Sequence, residues 1–273
     1  MNRLILLGTV HRDPDGKKRL LRFLEEIDPT AISLEVSPAS ITLRRQWSHD
    51  WLALFRHRLA EISRNTGQKR RQILAGHGLH GVFEYLRLPY EYRASLAHAR
   101  RRDRPVFLLD DSRLAESYLS RVEREILGKD NLTLLAKERR ERTLAEEVAA
   151  EYVKASRLVL NQNAAPSSLE GLPRDQEHWT AREESLARKL RLLHQGLVKR
   201  AGQRISGKEL SAGLIIAADA VAHMPETTFL RPDLTHLYIG GWEHLIEDEA
   251  GHSLYCRLKD IGPERMLCHR PRL

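Results

Sequence analysis

Residues 3–11 read Arg-Leu-Ile-Leu-Leu-Gly-Thr-Val-His, an apolar run that ends in a histidine. A run of this length without polar alternation indicates a strand that is buried on both faces, as in a parallel sheet. The segment Lys17–Ile27 follows with one wide apolar face, which is typical of a helix, and Asp28-Pro29 ends it. A second apolar run, Ala31–Val36, completes a compact β-α-β unit, whose crossover is expected to be right-handed.

Three more apolar runs extend the predicted sheet: Pro105–Leu109, His236–Ile239 and, more weakly, Arg265–His269. The glycine- and histidine-rich stretch Gly76–Gly81 is predicted to be a mobile loop, followed by a helix over Val82–Arg102. Residues 112–222 are predicted to be mostly helical, with two apolar stripes expected to pair as antiparallel helices joined through 161–174. These features predict one α/β domain over residues 1–273, with a mostly parallel central sheet flanked by helices and a long helical insertion or cap.

The composition is that of a folded, water-soluble chain. Of the 273 residues, 41% are hydrophobic and 30% are charged. No run approaches the ~18 apolar residues of a membrane span, and the apolar run before Gly8 is too short for a signal-peptide core. Cys256 and Cys268 form no C-x-x-C pair and are expected to be reduced thiols. We therefore expect a cytoplasmic protein with no membrane span.

The chain carries a formal net charge of +8, and its basic residues are clustered. The clusters are Lys69–Arg71, Arg100–Arg104 and Arg139–Arg142. Such clusters can hold phosphate or nucleic acid, but Glu138 and Glu141 alternate with the last one, as on a solvated helix face. Because no RNA-recognition, zinc-finger or helix-turn-helix motif accompanies the charge, the sequence does not favour nucleic acid as a partner.

Ionisable residues follow four of the predicted strands at the point where each strand ends. They are His11 after the first, Glu35 at the end of the second, Asp110-Asp111 after the third, and Glu243-His244 after the glycines that close the fourth. The carboxyl ends of parallel strands meet at one edge of a sheet, where open α/β sheets bind their ligands. The sequence therefore predicts a polar site at this edge, built around His11, Glu35 and His244.

Two chemistries fit this set of residues. His11, Glu35 and His244 are a suitable ligand set for a divalent metal ion such as Zn²⁺, Mn²⁺ or Co²⁺. A bound metal ion lowers the pKa of its water to about 7 and so supplies hydroxide at neutral pH. Without a metal, His11 is a candidate general base, with Glu35 or Asp110 fixing its tautomer.

Other polar and aromatic residues near these motifs have structural interpretations. Asp111 is expected to cap the helix that begins near Arg113. Trp242 is expected to serve packing, and His77 and His80 to be solvent-exposed in the predicted loop.

Four ordered motifs resemble those of one protein family. Gly8-Thr9-Val10-His11, with Asp28-Pro29 and Leu34-Glu35-Val36, resembles the opening of the TraB/PrgY/GumN group. The segment Tyr238–Leu245 resembles its closing G-x-G-H-L motif. Glu91–Asp110 and Leu135–Arg140 are similar to its E-x-x-x-A…V-x-L-x-D and L-x-x-E-R stretches. That group is similar to the TIKI metalloproteases and to the wider erythromycin-esterase and ChaN-like superfamily.

The resemblance implies a largely parallel α/β fold and, from the TIKI branch, peptide hydrolysis that depends on a divalent metal. It nominates His11, Glu35 and His244 as metal ligands. The residues that it adds in support of the site are Glu91, Asp110, Glu138 and Arg139. The chain departs from the family pattern at Val36-Ser37, at Asp111 and at the inserted Glu243, and it lacks the family's membrane helices.

Three functions follow as hypotheses. The first is a hydrolase of amide or ester bonds that uses Mn²⁺, Co²⁺ or Zn²⁺ and acts on a peptide or small molecule. The second is a metal-free hydrolase of the erythromycin-esterase type, in which His11 activates water and Glu35 or Glu91 orients it. The third is a non-catalytic module that binds a peptide or signal molecule in the crevice and at its basic rim.

Overall fold

The computed structural model describes residues 2–75, 77–137, 143–160, 176–214 and 220–269. In this part of the chain, eight strands form two sheets. The strands are β1 Arg3–Thr9, β2 Ala31–Leu34, β3 Val106–Leu108, β4 Arg204–Ser206, β5 Ala220–His223, β6 Thr227–Phe229, β7 Thr235–Gly241 and β8 Glu264–Leu267. The larger sheet has the order β5-β3-β2-β7-β1-β8, and β4 and β6 form a separate antiparallel pair.

The central sheet is parallel except at one edge. β7 lies between β1 and β2, with Leu7 opposite Ile239 and Ile32 opposite Leu237. β8 and β3 continue the parallel sheet on either side, and β5 adds an antiparallel edge strand to β3. From Leu4 to Thr9, β1 is buried throughout, as expected for a strand covered on both faces. The predicted α/β fold with a mostly parallel sheet flanked by helices is confirmed.

Helices connect and surround the strands. The α-helices are α1 Gly16–Ile27, α2 Pro38–Thr66, α3 Arg70–Ala75, α4 His77–Leu86, α5 Tyr90–Arg102, α6 Ser112–Leu119, α7 Lys129–Lys137, α8 Leu144–Ala155, α9 Gln176–Val198, α10 Gly207–Leu214 and α11 Leu254–Leu258. Short π-helical segments at Val122–Ile126 and Ser156–Leu160, and 3₁₀ segments at Trp242–Leu245 and Lys259–Ile261, complete the regular structure of the described residues. None of these helices combines the length and the apolar character that a membrane span requires.

The apolar side chains form two separate cores. The larger core surrounds the central sheet and includes Leu6, Ile32 and Leu237. The smaller core lies between helices of the first half of the chain and is centred on Trp51 and Phe55 of α2. Helices α4 and α7 contribute side chains to this second core, and they pack against α2 and against each other.

The predicted mobile loop at Gly76–Gly81 is wrong for residues 77–81, which belong to α4. Gly76 itself lies outside the described residues. Gly78 serves packing, because a Cβ atom there would lie 2.8 Å from Leu135 of α7. Close approach of two helices therefore outweighs the low helix propensity of glycine. The single helix expected over Val82–Arg102 is divided in two, since Pro89 separates α4 from α5.

Residues 112–222 contain the helices α6 to α10, but they also contain strands β4 and β5. Both strands are short, and neither shows the alternation that would identify it in the sequence. The two apolar stripes are helical, yet α9 packs chiefly on α11 rather than on α8. The segment predicted to join them, residues 161–174, lies outside the described residues.

Candidate active site

The carboxyl ends of β1, β2, β3 and β7 bring four of the predicted residues to one cavity. His11, Glu35, Asp110 and His244 all line this cavity, which has a volume of about 740 Å³. Each follows a different strand, and the parallel register places those strand ends side by side. The sheet edge is therefore a concave, polar site of the size that small-molecule ligands occupy.

His11 is held by a buried glutamate. Pro89 precedes α5, and Glu91 stands in the first turn of that helix with 3% of its surface exposed. Its Oε1 atom accepts a hydrogen bond from Thr9 Oγ1 at 3.0 Å and lies 2.9 Å from His11 Nδ1. A carboxylate only accepts, so the Nδ1 atom carries the proton and donates it to Glu91. The Nε2 atom of the half-exposed His11 side chain is then the nitrogen that meets a ligand.

The same contacts raise the pKa of His11. Loss of hydration lowers this pKa, but the hydrogen bond to Glu91 and the charges of Glu91, Glu35 and Glu243 outweigh that effect. The resulting pKa is about 9, compared with 6.5 for an unperturbed imidazole. His11 is therefore mainly protonated at neutral pH, and its base form increases as the pH rises.

Glu35 is the centre of the charged cluster. Its Oε1 lies 2.5 Å from Arg182 Nη2 and 2.8 Å from His244 Nε2, and its Oε2 accepts a hydrogen bond from the Gly241 amide at 2.7 Å. Burial raises the pKa of Glu35, but the cations His244 and Arg182 lower it by more than burial raises it. The pKa of Glu35 therefore lies well below its usual range. Glu35 is thus an ionised, buried carboxylate whose charge is compensated by neighbouring cations.

Arg182 lies on α9 and connects residues at the ends of two strands. Its Nε and Nη2 atoms each donate to Asp110 at 2.9 Å, which is the bidentate arrangement that guanidinium and carboxylate groups favour. The Nη2 atom also contacts Glu35, so one guanidinium connects the carboxylates that follow β2 and β3. These bonds fix the position of a cation in the cavity wall.

His244 is buried between two carboxylates. Its Nδ1 atom lies 2.5 Å from Oε1 of Glu183, opposite the contact of Nε2 with Glu35. Glu183 is fully buried on α9, and its Oε2 accepts from the Leu254 amide at 2.7 Å. The ring of Trp179 stacks on the imidazole with centroids 4.8 Å apart. Desolvation lowers the pKa of His244, but Glu183 and Glu35 raise it to about 10, so this side chain is an imidazolium.

Two glycines leave room for this arrangement. A Cβ atom at Gly240 would lie 2.6 Å from Oε2 of Glu35 and equally close to the Tyr238 hydroxyl. A Cβ atom at Gly241 would lie 3.1 Å from His11 Nε2 and 3.6 Å from His244 Cδ2. A side chain at Gly240 would therefore displace Glu35 or Tyr238, whereas one at Gly241 would crowd the His11 imidazole only slightly.

His11 and His244 approach opposite oxygens of Glu35, at 3.8 Å and 2.8 Å. As they are arranged, however, Glu35 is not open to a divalent metal ion, because its Oε1 contacts both His244 and Arg182 and its Oε2 accepts from the Gly241 amide. The contact of His244 Nδ1 with Glu183 does not count against a metal ion, since metal-bound imidazoles usually donate from their other nitrogen to a carboxylate. Within the described ranges, no group of three or more His, Cys, Asp or Glu side chains is placed to hold a metal ion. The metal site stays a prediction, and metal analysis of the purified protein tests it.

The structure places the remaining predicted residues as follows. Glu138 and Arg139 lie outside the described residues. Asp111 caps α6, because its Oδ1 accepts from the Arg113 amide at 2.8 Å, as predicted. Trp242 is buried and donates from Nε1 to Glu151, which agrees with a packing role. His80 is half-buried, so the expectation of an exposed loop position is wrong for this residue.

Three residues of α9 were not identified in the sequence, although they build the site: Trp179, Arg182 and Glu183. A signal for two of them was present. The buried leucines of this helix, Leu186, Leu190, Leu193 and Leu197, repeat at intervals of four and three. Continuing the same spacing towards the N-terminus reaches Glu183 and then Trp179. A carboxylate on a buried stripe requires a cationic partner, and His244 is that partner.

A second cavity, of about 570 Å³, adjoins the first. The residues that line both are His11, Glu35, Asp110, Ala115 and Arg182. Helices α2 and α4 supply much of its outer wall, whereas α6 and α9 supply that of the first cavity. The His11 side chain therefore lies where the two cavities meet.

Comparison of the chain with protein-family models, curated proteins and solved structures gives no significant match. The resemblance to the TraB/PrgY/GumN group stays an expectation that depends on four short motifs. The described residues themselves supply an oriented imidazole, a fixed guanidinium and a cavity at the carboxyl ends of the strands.

Proposed function

We propose that the chain is a hydrolase of amide or ester bonds in which His11 activates water without a metal ion. One observation carries this proposal: a half-exposed imidazole in a cavity is oriented by a buried carboxylate, Glu91. Such a pair is the usual arrangement of a general base, because the carboxylate fixes the tautomer and stabilises the imidazolium. The proposal agrees with the metal-free, erythromycin-esterase-like alternative and with the resemblance of the motifs to that superfamily.

In the proposed reaction, neutral His11 takes a proton from water at Nε2 while the water oxygen bonds to the substrate carbonyl carbon. The hydrogen bond from Nδ1 to Glu91 stabilises the imidazolium that forms. His11 then returns the proton to the leaving nitrogen or oxygen as its bond to the carbonyl carbon breaks. One water is consumed, and a carboxylic acid and an amine or alcohol are released.

Arg182 supplies positive charge for the intermediate. Asp110 and Glu35 hold its guanidinium in place at the wall shared by both cavities. A cation that is positioned before the reaction stabilises the negative charge that develops on the carbonyl oxygen, typically by a few kcal/mol. The His11–Glu91 pair and Arg182 therefore provide the two functions that hydrolysis of an acyl compound requires.

The pairing of the Glu35 oxygens with Arg182 and the Gly241 amide supports this mechanism over the metal-dependent one. It also gives the non-catalytic hypothesis less support, because a binding module does not need an imidazole oriented in this way. Both alternatives remain distinguishable by experiment.

The test uses a panel of p-nitrophenyl esters and p-nitroanilides with wild-type protein, with and without a chelator. We expect activity that survives chelation and a loss of about 10²–10⁴-fold in kcat/KM in His11→Ala. His49→Ala is the matched control, since His49 is a histidine on α2 whose side chain is 91% exposed. Activity that disappears on chelation and returns with Zn²⁺ or Mn²⁺ would favour the metal mechanism. Unchanged activity in His11→Ala would exclude His11 as the base.

A further inference from the structure

The two cavities meet at the reacting group, and this arrangement limits the shape of the substrate. His11 and Arg182 line both cavities, which together extend on either side of the imidazole. Each volume lies within the range of roughly 300–1,000 Å³ that small-molecule sites have. A substrate whose carbonyl carbon lies at His11 therefore has room for one group in each cavity.

The second cavity has an apolar part to its wall, beside the charged residues that also line it. Val36, Ile239, Pro89 and Tyr85 contribute to its wall. Gly81 of α4 also lines it, and a Cβ atom there would meet no atom within 4 Å. The wall therefore suits an apolar group and has open space at the glycine.

The arginines of the second cavity already have protein partners. Arg44 donates from Nη1 to the carbonyl oxygens of Tyr85 and Arg87, and it lies over the Tyr85 ring. Arg87 pairs with Glu84 at 3.1 Å. As many carboxylates as arginines line this cavity, so their charges are balanced and the lining does not favour an anionic ligand. Its apolar surface is then left to determine what binds.

The first cavity has the opposite character at its far wall. Arg121 lines it and donates from Nε and Nη2 to Ser117, a contact that orients the guanidinium without neutralising it. In the ranges that the structure describes, Arg121 has no carboxylate partner. Trp179 and the exposed Tyr118 provide aromatic surface in the same cavity. An oriented, uncompensated guanidinium beside aromatic rings fits a carboxylate that is attached to an apolar side chain.

We infer that the substrate is an N-acylated amino acid or a short acyl-peptide with a free carboxylate. Its apolar acyl chain lies in the second cavity, and its carboxylate lies against Arg121 in the first. This inference rests on the proposed hydrolase function and assigns its substrate class. Water adds across the amide bond, so the acyl group leaves as a carboxylic acid and the amino acid leaves with a free amine. No other reactant is needed.

The acyl-chain assignment is tested with N-acetyl-, N-hexanoyl- and N-decanoyl-phenylalanine. Because each buried methylene contributes favourably, we expect kcat/KM to rise at least about tenfold from the acetyl to the decanoyl substrate. Gly81→Trp places an indole in the second cavity, and we expect it to remove this rise. Gly81→Ala, which adds only a methyl group, keeps it. A rise that is absent in wild type, or that persists in Gly81→Trp, overturns the assignment of the acyl chain.

The carboxylate assignment is tested by comparing N-decanoyl-phenylalanine with its C-terminal carboxamide. We expect the wild-type protein to prefer the free carboxylate by about tenfold or more in kcat/KM, since a charge-assisted pair is lost in the amide. Arg121→Ala should abolish this preference, and Arg121→Lys should restore part of it. Equal use of both compounds by wild type overturns the role of Arg121.

Binding measurements separate failure of this inference from failure of the proposed function. Calorimetric titration of N-decanoyl-phenylalanine into His11→Ala measures recognition without turnover. Suppose that adding Gly81→Trp or Arg121→Ala to the His11→Ala protein weakens binding, and that the wild-type protein does not hydrolyse the compound. This result would support the ligand class and refute the hydrolase. Hydrolysis by wild type that is independent of chain length and of the carboxylate supports the hydrolase and refutes the ligand class.

Discussion

The Nδ1 atom of His11 lies 2.9 Å from Oε1 of Glu91, although eighty residues separate them in the sequence. The contact forms because the first turn of α5 lies against the end of β1, where the Tyr90 hydroxyl donates to the Val10 carbonyl and Thr9 donates to the same carboxylate oxygen of Glu91. It converts an exposed imidazole into an oriented base with a raised pKa. The pH dependence of activity follows from this pair.

We predict that kcat/KM rises with pH, with a midpoint near pH 9 and a plateau above it. The pKa of His11 is raised to about 9, so the neutral base is the minor form at pH 7 and increases about tenfold for each pH unit below the plateau. Glu91→Gln removes a negative charge and should move the rising limb to lower pH. The measurement is kcat/KM between pH 6 and 10. A limb that has the same midpoint in both proteins would contradict the role of Glu91.

A second prediction concerns the imidazolium of His244. His244→Gln leaves Glu35 and Glu183 without a cation between them, so we expect the free energy of unfolding at pH 7 to fall by about 3–5 kcal/mol. Urea denaturation of both proteins measures this difference. His252→Gln, at an exposed position, is the matched control.

The pH dependence of that difference has a definite sign. The folded-state pKa of His244 is about 10, above the value of 6.5 for an unperturbed imidazole. The stabilisation is therefore fully present below about pH 6.5 and is lost as the pH rises towards 10. A difference between wild type and His244→Gln that grows with pH would show that His244 is not held as a cation.

A third prediction distinguishes the geometry of Arg182 from its charge. Arg182→Lys keeps the positive charge but cannot donate to Asp110 from two nitrogens while also reaching Glu35. We expect kcat to fall by about 10²–10³-fold in Arg182→Ala and to be restored only in part by Arg182→Lys. Steady-state kinetics with a p-nitrophenyl ester gives the comparison. Full activity in Arg182→Lys would show that the fixed position of the guanidinium is unimportant.

A fourth prediction compares two glycines at helical positions. A Cβ atom at Gly16 would lie 2.4 Å from the buried ring of Tyr90, the neighbour of Glu91, whereas one at Gly81 meets no atom within 4 Å. We expect Gly16→Ala to lower the free energy of unfolding by about 1–3 kcal/mol and Gly81→Ala to raise it by about 0.5–1 kcal/mol. Thermal and urea denaturation test both. Equal effects of the two substitutions would contradict the packing described at Tyr90.

The sequence determined the parallel strands of the central sheet, but not its antiparallel edge strand β5, and it determined the edge at which the polar residues collect. Unbroken apolar runs at β1, β2 and β7 predict buried parallel strands, and strand direction alone brings the residues that follow them to one side. For this reason the sequence alone assigns His11, Glu35, Asp110 and His244 to a common site. The apolar runs and the common direction of parallel strands therefore lead to the same prediction for this edge of the sheet.

The tertiary structure decided which partners those residues have. Arg182 reaches Glu35 across 147 positions of sequence, and the position of α9 over the strand ends depends on packing, which no local pattern records. The helical conformation at Gly78 also depends on tertiary packing, because contact with Leu135 of α7 outweighs the low helix propensity of glycine. Apolar periodicity reports burial, whereas charge pairing depends on the approach of distant segments. The sequence therefore determined where the site lies, and the docking of α5 and α9 decided its chemistry.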